Sequence, residues 1–386
     1  MTTEKLYYQD CHLREFDARV LSCEQKDDMW EILLDRTAFY PEGGGQASDV
    51  GMLGQVRVCH VRLEGEQVVH LCGGPLEAGA QVHGVIDYAR RFDLMQQHTG
   101  EHIVSGLIHA KYGCHNTGFH MGADVITIDF DGEIPGSDLK ELEKRANEAV
   151  WSNISLKIWT PSPEELPHVC YRTKRSLPWP VRIVQVPGYD SCACCGVHVA
   201  ATGEVGLIKL LSCVKFRGGV RMEMLCGRRA MEYLSSAYEQ NLLVSRAFSA
   251  KLMQTGEAAK KMNETVDGLK LKLGTLQQQI FEGIAQTCRG LGNVLIFRQG
   301  LEPAQVRRLA DLVAEECGGI AAVMSGSDAD GYSYCLVCRN GDLRELGREM
   351  NRCLNGRGGG KPEFQQGSLS GTHASICTYF SGFSCR

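Results

Sequence analysis

His98-Thr99-Gly100-Glu101-His102 sits inside an apolar-spaced run from Phe92 to His109. On a helix, residues four apart share one face, so His98 and His102 can meet at a common atom. A second stretch, Cys194-Cys195-Gly196-Val197-His198, sets Cys194 and His198 at the same separation. Two histidines plus a Cys/His pair make a soft-plus-imidazole donor set that favours zinc over magnesium or calcium. A His pair on an amphipathic helix is also met as core or surface decoration. The two halves together, with Cys192 crowded near Cys194 and Cys195 at a Gly turn, point to metal. Four protein ligands make a closed, structural site, whereas a hydrolytic zinc keeps one position for water or substrate; the sequence leaves that choice open.

The chain has 386 residues, too many for one hydrophobic core, and its 43% hydrophobic and 23% charged residues are those of an ordinary globular protein. No apolar run has the length a bilayer demands, and Met1 to Cys11 lacks the apolar core of a signal peptide, so a cytoplasmic protein that avoids membranes is expected. In a reducing compartment the 18 cysteines read as small buried hydrophobes and one metal cluster. Cys335-Leu336-Val337-Cys338 has half-site spacing but lies in an apolar, strand-like run, and is read as core. The net charge of −5 argues against indiscriminate nucleic-acid binding. It hides a basic stretch around the second motif, with Arg172, Lys174, Arg175, Arg182, Lys209, Lys215, Arg217 and Arg221. A polyanionic substrate and a solvated basic face both fit it.

An α+β multidomain chain is expected. Residues 1–88 read as short strands, Ala18 to Cys23, Trp30 to Asp35, Val56 to Leu63, Gln67 to Leu71 and Gln81 to Ile86, which predict a small β-barrel. Between them, Thr37-Ala38-Phe39-Tyr40-Pro41-Glu42-Gly43-Gly44-Gly45-Gln46 is a loop whose three consecutive glycines let backbone approach a ligand, with Gln46 as its polar contact. Residues 89–222 form an α+β domain around the two motifs. Alternation over Val125 to Phe130 puts Thr127 on the face opposite Ile126 and Ile128. Thr127 is a candidate to face the site, or an unremarkable β-branched strand residue.

Residues 228–290 change character. A helical run to Met253 is broken at Thr255-Gly256, and Met262, Val266, Leu269, Leu273, Leu276 and Ile280 then recur at steps of three and four. That spacing predicts a helical hairpin or coiled coil, either a spacer or a dimerisation element. Residues 291–386 alternate strand and helix. After Asn355, the run Gly356-Arg357-Gly358-Gly359-Gly360-Lys361-Pro362 reads as a loop that sets glycine amides beside two cations, a combination suited to a phosphate backbone.

With these residues placed, the chain resembles the long form of the alanyl-tRNA editing proteins of the AlaX group, itself similar to the editing and C-terminal parts of alanyl-tRNA synthetase. The matching pieces are Phe39 to Gln46, His98/His102, Cys194/His198 and Gly358 to Pro362, in family order across nearly the whole chain. The resemblance implies an elongation-factor-like barrel, a zinc-bearing editing domain, a helical hairpin and a DHH-associated domain that binds tRNA. It implies one Zn2+ on His98, His102, Cys194 and His198, and tRNA contacts from Arg357, Gly358, Gly359, Gly360 and Lys361. It implies hydrolysis of the ester joining serine, or glycine, to tRNA(Ala), with no aminoacylation domain to charge a tRNA. A homodimer through the hairpin or the C-terminal domain would be in keeping with it.

The family motif is Cys-Gly-Gly-Thr-His, so Cys195 and Val197 are departures. The second removes a hydroxyl, and the first adds a competing thiol; Cys194 is kept as the ligand because it stands four residues before His198. Gln46, Thr127 and Glu101 are the catalytic candidates. Gln46 or Thr127 would read the serine hydroxyl, since a site that hydrogen-bonds a hydroxyl rejects the analogue lacking it. Glu101 would be the base if His98 to His102 were the inverted zinc-protease pattern His-x-x-Glu-His, a rival reading. A second rival is a zinc-stabilised module that binds tRNA without hydrolysing it.

Overall fold

The structure is a computed structural model and describes residues 2–173 and 179–386. The chain divides into two compact units, Met1–Leu243 and Val244–Arg386.

The first unit begins with six strands that close into a barrel in the order Glu15–Lys26, Met29–Leu34, Gln67–Cys72, Val56–Glu64, Gly51–Leu53, Gln81–Ile86. Alternation builds it: Phe16, Ala18 and Val20 point inward beside Ile32, Leu34, Val61 and Val82, while the intervening residues face out. Gly51–Leu53 is too short to show alternation, so the sequence reading passes over it.

Helix α1, Tyr88–Tyr112, follows the barrel. Asp87 caps it, its side chain accepting from Arg90 N, and Gly113 at φ 70° ends it in the left-handed region. Every residue from Leu94 to Ile108 is buried, polar ones included, because the helix is covered on all sides. Ile103, Val104, Leu107 and Ile108 pack on a four-stranded antiparallel sheet ordered Ile208–Phe216, Gly219–Cys226, Ile126–Phe130, Asn116–Met121. Helix α2, Leu139–Trp151, adds Leu142, Ala146 and Ala149 to the same core. A three-stranded sheet of Lys157–Trp159, Ile183–Val186 and Asp190–Ala193 leads directly into the Cys194 to His198 turn. Arg91, wholly buried on α1, pairs with the buried carboxylate of Asp49 in the barrel region and donates to Ala38 O, so the His-bearing helix is anchored to the barrel.

Helix α3, Gly227–Ala247, leaves the last strand of the four-stranded sheet. In the second unit helix α4 is Thr255–Thr287, so Thr255-Gly256 opens a helix instead of breaking one; the interruption lies just before it. Its stripe of Met262, Val266, Leu269, Leu273, Leu276 and Ile280 is exposed along its length.

The second unit's sheet runs Arg357–Lys361, Phe364–Leu369, Gly331–Cys338, Gly318–Ser327, Gly292–Phe297, Ser384–Cys385. Helix α5, Pro303–Cys317, packs Val306, Leu309 and Val313 on one face; helix α6, Arg344–Cys353, and helix α7, His373–Tyr379, supply Met350 and Ile376 to the other. Both faces of Gly331–Cys338 are covered, which is why Cys335 to Cys338 reads as a continuous apolar run. Arg357–Lys361, expected as a loop, is instead an exposed edge strand paired with Phe364–Leu369. Glycine's low strand propensity hid it.

Candidate metal centre and active site

Three imidazoles and one thiol converge where α1 meets the turn after Ala193. His98, His102, Cys194 and His198 place one donor atom each within 4.8 Å of the others. Cys194 Sγ lies 3.4 Å from both His98 Nε2 and His198 Nε2. Two ligands bound to a tetrahedral zinc at about 2.05 and 2.3 Å stand about 3.6 Å apart, so the cluster fits the ion that the donor chemistry favours. Burial alone would push the Cys194 thiol up, but His98, with hydrogen bonds from His102 and His198, holds it well below its ordinary range. The sulfur is thus poised as a thiolate, the form that binds metal.

The other nitrogen of each ring is held. His98 Nδ1 is 2.9 Å from Gln46 Oε1, which also accepts from Val197 N at 3.2 Å. His198 Nδ1 is 3.2 Å from Thr99 Oγ1, and Thr99 Oγ1 accepts from Val199 N. His102 Nδ1 lies 3.0 Å from Asp190 Oδ2, a buried ion-pair contact whose angle falls outside hydrogen-bond geometry. Asp190 in turn receives two bonds from Arg172, 2.7 and 2.9 Å. Burial opposes charge on His102, yet Asp190 and Cys194 raise its pKa well above the ordinary value. Gln46 and Thr99 hold the His98 and His198 rings with Nε2 toward the cluster, and the Asp190 carboxylate stands beside His102. Gly196 closes the arrangement: a Cβ there would come within 2.2 Å of the His98 ring.

A cavity of about 740 Å3 opens beside the cluster, lined in part by His98, Glu101, His102, Cys194, Gly44 and Gly45. Gly44 and Gly45 take φ 62° and 84° at the tip of the Gly43–Gln46 turn, and a Cβ on Gly45 would meet Phe119 at 2.7 Å, so only glycine lets this turn approach. Glu101 Oε1 accepts from Ser105 Oγ and from Asn116 Nδ2, both at 2.5 Å; Oε2 is 3.9 Å from His102 Nε2. Glu101 is therefore fixed at the cavity wall with one oxygen toward the cluster.

The sequence-derived candidates divide here. The four donors meet, with Glu101 beside them. Gln46 is buried and aimed at His98, holding a ligand where a contact with substrate was expected. Thr127 is the correction: it lines no part of the cavity, because Ile126, Ile128 and Phe130 take the face toward α1 and Thr127 turns to the other, between His120 and Glu223 in the ladder. Cys195 does not join the cluster; its sulfur lies over Gly43 and Gly44 while its thiol is pushed up by burial. Much of the basic stretch is neutralised locally, Arg172 by Asp190, Lys209 by Glu143, Lys215 by Glu133 and Arg221 by Asp129. Lys174 and Arg175 lie outside the described residues. Sequence reasoning missed Asp190, Arg172, Thr99 and Asn116; only Thr99, inside the His motif, stood where a motif could have flagged it.

Comparison with known proteins follows the same geography. The family model described as tRNA synthetases class II (A) matches residues 2–90, and that of the threonyl and alanyl tRNA synthetase second additional domain matches residues 181–223. The alanine–tRNA ligase of Thermofilum pendens is 31% identical over 96% of this chain and 42% of its own length. The alanyl-tRNA editing protein Aarsd1 of Danio rerio is 28% identical over 94% of this chain and 93% of its own. The alanyl-tRNA editing protein AlaX-L of Pyrococcus horikoshii is 28% identical over 95% and 94%. The chain thus spans about four-tenths of the ligase and nearly all of each editing protein. By sequence, then, the chain is similar along nearly its whole length to alanyl-tRNA editing proteins and to the matching part of alanine–tRNA ligase.

Proposed function

We propose that this protein hydrolyses the ester of tRNA(Ala) mischarged with serine, and with glycine, in the cytoplasm, releasing the free amino acid. The observation that carries the reading is the convergence of His98, His102, Cys194 and His198 beside an anchored Glu101 in one cavity. These four side chains would hold one Zn2+, which when bound would meet an ester carbonyl or the substrate's amino group only as a further ligand beyond the four.

The proton work falls to the chain. Glu101 Oε2 would take a proton from water as its oxygen bonds to the carbonyl carbon, and would return it to the ribose oxygen as the acyl–oxygen bond breaks, leaving the free amino acid, the tRNA hydroxyl and an ionised Glu101. Ser105 and Asn116 hold Oε1, so Glu101 keeps one orientation throughout. Gly44 and Gly45 also line the cavity, where their backbone amides would suit a developing oxyanion. Elsewhere on the chain, the exposed strand Arg357, Gly358, Gly359, Gly360, Lys361 is suited to grip the tRNA backbone, and the exposed apolar stripe of α4 is suited to pair two copies.

The test incubates purified, metal-analysed protein and its His102→Ala variant with Ser-tRNA(Ala) and Ala-tRNA(Ala), following amino-acid release. Loss of serine alone, abolished by the substitution, is the expected result; intact esters beside tight tRNA binding would replace the hydrolase with a binding module.

A further inference from the structure

Tyr8 and Arg182, both lining the cavity, form a cation–aromatic pair that the site chemistry leaves unused. The Arg182 guanidinium carbon sits 4.4 Å from the centre of the Tyr8 ring. Tyr8 is 38% exposed, yet it is not loose: its hydroxyl donates to Cys195 O at 2.7 Å, and Tyr7 and then Tyr40 back it edge-on at 4.6 and 5.5 Å. Arg182 Nη1 donates to Cys194 O and Gly196 O at 2.8 and 2.9 Å. No carboxylate among the described residues pairs with it, in contrast to Arg172, Lys209 and Arg221 nearby in sequence. A rigid, wet aromatic ring under an uncancelled planar cation, both lining the cavity that holds His98 and Glu101, has the make-up of a nucleotide platform.

We propose that Tyr8 and Arg182 are positioning residues that take the 3′-terminal adenosine of the substrate, the base stacked on their surface and its 5′-phosphate met by the guanidinium charge. This rests on the deacylase reading. Because Arg182 is tied to the carbonyls on either side of Cys195, a nucleoside seated there has its ribose ester directed at the metal turn. The contact is indifferent to the amino acid carried, so it sets affinity and placement and leaves selectivity to the cavity.

The experiment measures calorimetric binding of 3′-deoxy-3′-(L-serylamino)adenosine 5′-monophosphate, whose amide resists hydrolysis, to the full chain. Wild type, Tyr8→Phe, Tyr8→Leu and Arg182→Gln are compared, each with metal content and circular dichroism. Tyr8→Phe, which keeps the ring, should bind within about threefold of wild type; Tyr8→Leu and Arg182→Gln should each lose about tenfold with metal content unchanged. Removing the 5′-phosphate should weaken wild type but leave Arg182→Gln where it was. Wild-type affinity in Tyr8→Leu and Arg182→Gln, loss that tracks metal loss, or no binding by wild type would overturn the assignment. The two readings separate: a wild type that binds the amide but leaves Ser-tRNA(Ala) intact ends the deacylase and keeps the platform. A deacylase whose KM is unmoved by Tyr8→Leu ends the platform alone.

Discussion

His102 Nδ1 stands 3.0 Å from Asp190 Oδ2, and Asp190 is itself clasped by Arg172. The chain of contacts runs from a cavity-lining arginine through a buried carboxylate to a ring of the candidate metal cluster, and it sets a negative charge beside that ring. Replacing Asp190 by Asn keeps the shape and removes the charge. The expected result is a fall in zinc affinity of about 10- to 100-fold, read by chelator competition, with the circular dichroism spectrum unchanged.

Glu101→Gln leaves Ser105 and Asn116 their neighbour but takes away the proton acceptor. Deacylation should drop by about 100-fold or more while the metal stays bound, measured as single-turnover release of serine beside metal analysis. A variant that keeps full activity assigns the proton transfer elsewhere.

Thr127→Val should leave serine-over-alanine selectivity untouched. The residue faces away from α1, and a methyl in place of its half-buried hydroxyl changes nothing along the cavity wall. A tenfold shift in the ratio of the two kcat/KM values would place the hydroxyl in the substrate's path after all.

Acid should weaken the barrel through His70. Burial pulls its pKa from 6.5 down to about 4 in the folded chain, where Nδ1 donates to Ile32 O at 3.1 Å and Nε2 meets the Thr37 hydroxyl at 2.9 Å. The unfolded chain binds the proton first, so the contribution is whole above pH 6.5 and is lost as pH falls toward 4, by up to roughly 3 kcal/mol. Denaturant melts of wild type and His70→Gln across that window check it: the variant's stability should fall less steeply.

Periodicity and spacing made much of this legible. His98 and His102 declare their shared face by separation alone, and Cys194 and His198 declare a turn that can close on one point. The strands around Val20, Ile32 and Val61 show themselves by alternation, and Cys335 to Cys338 by continuous apolarity. Where glycine carries a strand, as in Arg357–Lys361, or where three residues complete a barrel, as in Gly51–Leu53, periodicity has nothing to act on.

By itself, then, the sequence determined which side chains could bind a metal, because that depends on chemical type and on spacings of a few residues within one helix or turn. The tertiary structure alone decided what stands behind each of them: Gln46 from the barrel side, Asp190 and Arg172 from a later sheet, Asn116 from the strand after α1. It also decided that Thr127 faces away. Partners separated by tens of residues are chosen by how layers pack, and no local pattern in the chain records that packing.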